Sequence, residues 1–237
     1  MTDLGTLRVL ACKAISREKK DGETLFDTFL TLFNNHYTDR AVGSMKELKV
    51  CPNQQKGKAF ELFCYQYLKT VMSCSQVYLW ADIPHELREQ LSLWGQDMGI
   101  DIIAYRNGWY AVQCKYKKPS TTDARGNIVS WSSISTFAAL VTRTGPWAKH
   151  VIMTTGTSIR RAGGMSNLDM SVCRGTFRKL NLQQWYQLFD ITSGNLLSQS
   201  STSTLIQSST TPTLLRSLTA MSIDDIRQAR LRHFASS

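Results

Sequence analysis

The chain has 237 residues, 42% of them hydrophobic and 19% charged, enough to bury a core in one domain of ordinary size with extensions. Its 28 Lys and Arg against 18 Asp and Glu give a formal net charge of +10, a balance that favours a polyanionic partner, most often nucleic acid. No apolar run approaches the roughly 20 residues a membrane span requires, which argues against an integral membrane protein.

The opening stretch, MTDLGTLRVLACK, mixes charges into its apolar residues and does not read as a secretory signal. Six cysteines, at 12, 51, 64, 74, 114 and 173, include no C-x-x-C pair, so neither a zinc ribbon nor a redox motif is expected. That usage fits a reducing intracellular compartment, cytoplasm or nucleus.

Residues 24–37 carry Leu25, Phe26, Phe29, Leu30, Leu32 and Phe33, the spacing of an amphipathic helix with one broad apolar face. A basic connector follows. Residues 58–72 predict a second, well-buried helix with Glu61 in its first turn. QVYLW (76–80) reads as a strand and HELREQLSLW as a short helix. IDIIAY and WYAVQCKY, around Arg106, Asn107 and Gly108, form the strongest hairpin signal in the chain. A helix is expected over 134–144 and a buried strand over 149–155. TSIRRAGG should form a short helix closed by glycine, MSVCR a strand, and 181–189 a helix with Leu182, Trp185, Tyr186 and Phe189 turned inward.

This order implies an α/β domain with a central mixed sheet flanked by helices. We expect an N-terminal helical extension over 1–50 and the main domain over 51–190. A Ser/Thr-rich linker over 191–221 and a short basic helix over 222–237, opened by the Ser222–Asp225 capping pattern, should follow.

The hairpin sets a geometric test. Side chains alternate along a strand, so Trp109, Ala111, Gln113 and Lys115 share one face and Tyr110, Val112 and Cys114 the other. A three-residue loop of Arg106, Asn107 and Gly108 pairs Tyr105 with Trp109, and hence Asp101 with Gln113; a two-residue loop would pair Asp101 with Cys114 instead. Glycine in third position favours the longer loop. Asp101, Gln113 and Lys115 then meet on one face. A hard divalent cation, Mg²⁺ or alternatively Mn²⁺, takes oxygen ligands such as the Asp101 carboxylate and the Gln113 carbonyl, and it would activate a phosphodiester and a water. Lys115 can orient that water or neutralise developing charge. Glu61 can add a carboxylate from the adjacent helix.

These residues carry a resemblance. KGKAFE, then GQDMGIDIIA, then QCK resembles the PD-(D/E)XK nuclease superfamily and more closely its Mrr-like restriction endonuclease branch. The pattern of that branch runs G-x-x-F-E, G-x-D-x-G-x-D and Q-x-K. VIMTTGTSIRRAG is similar to its later strand and helix. The resemblance spans about residues 55–190. It implies a restriction-endonuclease-like fold and a metal-dependent endonuclease acting on DNA, with Glu61, Asp101, Gln113 and Lys115 as the catalytic set and Glu61, Asp101 and Gln113 holding the metal. Gly95 and Gly99 fit a loop that admits the phosphate, and Asp97 matches an acidic position of open role. Ile100 stands where the superfamily name has proline. Gln113 replaces an acid, as it does in the Mrr-like branch.

Other readings stand beside this one. Alone, Glu61 reads as a carboxylate near a helix N-terminus, Gln113 as a core hydrogen-bonding group, and Lys115, Lys117 and Lys118 as a solvated strand edge. The alternative function is a non-cleaving or weakly cleaving DNA-binding module of a larger helicase or restriction system. A dimeric junction-resolving nuclease and an RNA nuclease are remoter. Lys117, Lys118, Arg160 and Arg161 are candidate phosphate contacts, a homodimer and a helicase are candidate partners, and a membrane is not. His36, His85, His150 and His233 have no ligand spacing.

Overall fold

A computed structural model describes residues 4–18, 21–39, 52–94, 99–118, 127–160 and 170–192. The expected linker from residue 193, the C-terminal helix, Gly95, Asp97 and Arg161 lie outside the described residues. The chain divides into a unit of residues 1–196, treated below, and a second unit of residues 197–237.

Helices α1 (Leu4–Ser16), α2 (Leu25–Asp39) and α3 (Pro52–Thr70) precede β1 (Gln76–Leu79) and α4 (His85–Gln90). The hairpin of β2 (Ile102–Tyr105) and β3 (Trp109–Lys115) follows. Next come β4 (Ile128–Val129), α5 (Ser135–Val141), β5 (Lys149–Thr154), β6 (Ser158–Ile159), β7 (Met170–Val172), α6 (Arg174–Phe177) and α7 (Leu182–Phe189). The main sheet is mixed and five-stranded, in the order β1-β2-β3-β5-β7. Its first three strands are antiparallel and β3, β5 and β7 run parallel. The expected α/β architecture of a mixed sheet between helices is the observed one.

The alternation along the strands separates two cores. Ile102, Ala104, Tyr110, Val112, Cys114, Val151 and Met153 face a cluster with α1, α2, α3 and α7. Ile103, Ala111 and Ile152 face the other, with Leu87 of α4 and Phe137, Leu140 and Val141 of α5. The first core is dense in rings: Phe63 lies 5.3 Å from Phe177, 5.7 Å from Phe29 and 6.3 Å from Trp185, centroid to centroid.

Side chains fix the helix ends. Thr24 accepts the Asp27 amide and donates to its carboxylate at 2.7 Å, capping α2. That same carboxylate receives Arg174 at 2.6 Å and Arg178 at 2.9 Å, which ties α2 to α6 and the residue after it. Asn181 and Gln184 form a reciprocal capping box on α7. Arg8 of α1 donates to the Phe189 carbonyl at 2.7 Å, where α7 leaves carbonyls without intrahelical partners.

Three expectations need correction. Leu182, expected to turn inward, is 48% exposed at the start of α7. Ser158 and Ile159, read as the start of a helix, form strand β6 in parallel with β4; residues 161–169 lie outside the described set. Helix α3 starts at Pro52 and not at residue 58, so Glu61 sits in its middle and the first turn holds no acid. Proline suits the first helical position because its missing N–H would have had no partner there.

Candidate active site

Strand β2 pairs with β3 only as far as Ile102 opposite Val112, while β3 runs on to Lys115. The edge of β3 beyond Val112 therefore lacks a strand partner on the β2 side. Asp101 fills the first part of that gap. Its amide donates to the Val112 carbonyl at 2.9 Å, its carbonyl accepts the Trp80 amide at 2.9 Å, and its carboxylate accepts the Cys114 amide at 2.6 Å. Ile100 packs in one core and Ile102 in the other. A regular strand would send both to the same face, so the chain turns at Asp101. The hairpin register is the expected one, with Tyr105 opposite Trp109 and the three-residue loop between them. Asn107 and Gly108 take positive φ in that loop, 56° and 129°.

Gln113 follows Val112 on the opposite face of β3 from Cys114. It is 1% exposed, and its Oε1 has no hydrogen-bond partner among the described residues. A buried amide oxygen left without a donor costs free energy, so reading Gln113 as a satisfied core group does not hold for this atom. Gly99, at φ +114°, makes room for the same side chain: a Cβ there would stand 2.9 Å from Gln113 Nε2 and 3.4 Å from the Phe137 amide nitrogen. Sequence reasoning gave Gly99 to a phosphate; its missing side chain accommodates the Gln113 amide.

Helix α3 runs along the outgoing end of β3. Cys64 shares a hydrogen bond with Cys114, the Phe60 ring lies 6.3 Å from Tyr116, and Lys56 is within electrostatic reach of Lys118. Burial pushes the Cys64 thiol up. The Cys114 thiol is pushed well up, by burial first and then by its bond to Cys64. The charges of Asp101 and Glu61 raise both thiols further, so both carboxylates are within electrostatic reach of one buried pair. Glu61 is half-buried, with Lys58 Nζ at 3.6 Å. Its position in the middle of α3 removes the reading in which it answers the helix dipole.

Lys115, half-buried, lies opposite Thr154 of β5. Thr154 Oγ1 donates to the Lys115 carbonyl at 2.7 Å, and Thr155 Oγ1 donates to the Lys117 carbonyl at 2.9 Å while accepting the Lys117 amide at 2.7 Å. Both threonines are buried. Sequence reasoning did not single them out as positioning groups, although two hydroxyls closing an apolar strand were there to be read. A second missed group is Lys56, 5% exposed, whose Nζ donates to Asn34 Oδ1 and Thr38 Oγ1 at 2.8 Å each. Burial, then the charge of Lys118, lowers its pKa. Tyr116 donates to the same Asn34 oxygen at 3.3 Å, and burial pushes it up to about 12.

Among the further candidates, Lys118 and Arg160 are exposed and Lys117 half-buried. Trp131 and Trp147 pack against the second core. No group of three or more His, Cys, Asp or Glu able to hold a metal occurs among the described residues, so a cation at this site would need the neutral Gln113 oxygen. That orphaned oxygen is the kind of neutral ligand a hard divalent ion takes. No described helix is long and apolar enough to cross a membrane.

A mixed five-stranded sheet flanked by helices is a restriction-endonuclease-like architecture, in line with the comparison with protein families. Residues 68–185 match the model of a family described as a restriction endonuclease, consistent with an Mrr-like nuclease. The match includes Asp101, Gln113 and Lys115 and begins after Glu61. No curated protein matches the chain, and no solved structure does.

Proposed function

We propose that the domain is a Mg²⁺-dependent endodeoxyribonuclease, with Mn²⁺ as an alternative ion, that hydrolyses DNA phosphodiester bonds. The observation that carries this reading is the buried Oε1 of Gln113, without a partner among the described residues, on the strand whose open edge Asp101 occupies through the Cys114 amide. Asp101 would hold the cation with a charged oxygen and Gln113 with a neutral one, and Glu61, on a helix packed against the face of the sheet opposite Gln113, would have to reach the ion around the end of β3. The ion supplies polarisation of the phosphate and a lowered pKa for a water. The rest falls to the chain. Three backbone and side-chain hydrogen bonds hold Asp101 before any substrate arrives, the preorganisation that electrostatic catalysis needs. Lys115, on a strand end clamped by Thr154 and Thr155, orients the attacking water or neutralises charge developing on the phosphate. The +10 net charge supplies the attraction for DNA.

Supercoiled plasmid incubated with Mg²⁺ should be nicked or linearised, and a chelator should stop it. Asp101→Ala and Lys115→Ala should abolish cleavage while DNA binding persists. Cleavage by either variant at the wild-type rate would sink the mechanism. The second reading, a DNA-binding module that does not cut, draws on the lack of a third carboxylate-type ligand among the described residues. Binding without cleavage in every divalent ion tested would select it.

A further inference from the structure

One row of α3 meets the outgoing end of β3 in register: Cys64 with Cys114, Phe60 with Tyr116, and Lys56 with Lys118. The last of these contacts sets two cations together. Lys56 is 5% exposed. Its Nζ donates to Asn34 Oδ1 and Thr38 Oγ1 at 2.8 Å each, both neutral, and no carboxylate pairs with it among the described residues. An ammonium has three N–H donors, so one is left over. Tyr116 brings a further donor, since its hydroxyl points at the same Asn34 oxygen at 3.3 Å. A buried lysine ordinarily pairs with an acid, because burying an unpaired charge is costly. This cluster holds more donors and more positive charge than its acceptors answer.

We infer that Lys56, together with Lys118, binds a phosphate of the DNA strand that flanks the scissile one. This rests on the nuclease reading and extends it to the grip on the strand. Lys118 is exposed and lies three residues beyond Lys115, about 10 Å of extended chain, so the phosphate it meets is a neighbour of the one cleaved. The third N–H of Lys56 and the Lys118 ammonium supply the two contacts, each a charge-assisted hydrogen bond. Asn34 and Thr38 hold Lys56 in place before DNA arrives, so little side-chain freedom is lost on binding. Burial also leaves this charge less screened than one on an open surface. An anion between the two ammonium groups offsets their mutual repulsion.

The test uses the full chain and a labelled DNA duplex, with binding followed by anisotropy in chelator so that no cleavage occurs. Lys56→Met removes the charge and keeps an unbranched side chain. Asn34 Oδ1 retains Tyr116 as a donor and Thr38 is exposed to water, so neither acceptor is stranded. The variant should unfold at the wild-type midpoint or above it. It should bind DNA at least roughly tenfold more weakly, as loss of one hydrogen bond to a charged group implies, and flatten the slope of log K against log salt by about 0.9. A lysine that only fills space between α2 and α3 would give the reverse, a lower midpoint and an unchanged slope, and either result overturns the proposal. Lys118→Gln, at an exposed position, should flatten the slope by a similar amount; a change in that variant alone would leave a surface contact without Lys56 and count against the inference. If the wild type binds and cuts DNA and Lys56→Met binds as tightly, this inference falls and the nuclease reading survives. If the wild type neither binds nor cuts, both fall.

Discussion

The Cys114 amide donates to the Asp101 carboxylate at 2.6 Å, so the proposed metal ligand is also the group that terminates the β2–β3 ladder. The two roles can be separated. Asp101→Asn keeps an acceptor for the Cys114 amide and loses the charge. Asp101→Ala loses both and leaves a part-buried donor unpaired, at about 1–3 kcal/mol. We expect the asparagine variant to melt close to wild type and the alanine variant several degrees lower. Both should lose cleavage by more than the roughly 10–100-fold typical of outer-shell changes at metal sites. Thermal unfolding and plasmid cleavage measured on the same samples check this; an active Asp101→Asn would remove the carboxylate from the chemistry.

Gln113 is a stability cost retained at the site. Replacing it with methionine, similar in volume, removes a buried acceptor that has no donor. The variant should therefore be as stable as wild type or more so, and inactive. Gln113→Glu should do the opposite in the absence of a cation, adding a second buried negative charge near Asp101, and should regain stability on addition of Mg²⁺. Melting curves with and without Mg²⁺ read both, and a Gln113→Glu protein indifferent to the ion would argue against a cation site here.

The hairpin under the candidate site is legible in the sequence because it depends on local geometry. The Arg106-Asn107-Gly108 loop fixes the register as far as Ile102 opposite Val112, and strand alternation fixes which β3 neighbours share a face. What was not legible depended on contacts distant in sequence. Asp101 is held from two sides, by the Trp80 amide just after β1 and by the Val112 carbonyl of β3, residues far from it in sequence. The strand at Ser158–Ile159 exists only because β4 lies beside it. Helix α1 falls within the helical extension expected over 1–50, and its Leu7, Leu10, Ala11 and Ala14 follow helical spacing and are all buried. The start of α3 was missed because its first turn, NQQK after Pro52, carries neither an apolar face nor an acid.

Gly99→Ala tests whether the loop before Asp101 is shaped by Gln113. The new Cβ would stand 2.9 Å from Gln113 Nε2, at a φ of +114° that side chains rarely adopt. A destabilisation of about 1–3 kcal/mol is expected, together with loss of cleavage. In the Gln113→Ala background the steric part should shrink, because the amide that alanine would strike is gone. A double-mutant cycle on stability measures that coupling; strictly additive effects would separate the two residues.

Asp27 should govern the acid limb of stability. Burial raises its carboxyl, and hydrogen bonds from Thr24, Arg174 and Arg178 more than offset this, so it titrates below the usual carboxylate value of 3.8. A folded-state pKa below the unfolded one contributes stability that is present above the unfolded value and is lost as pH falls through the folded value. Asp27→Asn should therefore cost stability at neutral pH, by roughly 2 kcal/mol for charge-assisted hydrogen bonds. The difference from wild type should close as pH drops below about 3.8. Denaturant unfolding as a function of pH decides it, and a gap that persisted below the depressed pKa would show that the carboxylate contributes by shape and not by charge.

The Cys64–Cys114 pair yields the last prediction. Both thiols are buried, and burial, the shared hydrogen bond at Cys114 and the charges of Asp101 and Glu61 hold them protonated. The thiolate is the reactive form, so neither residue should be alkylated in the native protein at pH 8, whereas both should react once denaturant unfolds it. The electrostatic part can be isolated. Asp101→Asn removes one of the two nearby negative charges and keeps the Cys114 amide satisfied, so any native-state labelling, set by local opening, should be no slower than in wild type. Divalent cation should protect the pair further, since a ligand that binds only the folded site suppresses opening by mass action. Mass-resolved labelling with and without Mg²⁺ reads this directly and requires no cleavage assay; protection unaffected by the ion would place the cation away from Asp101.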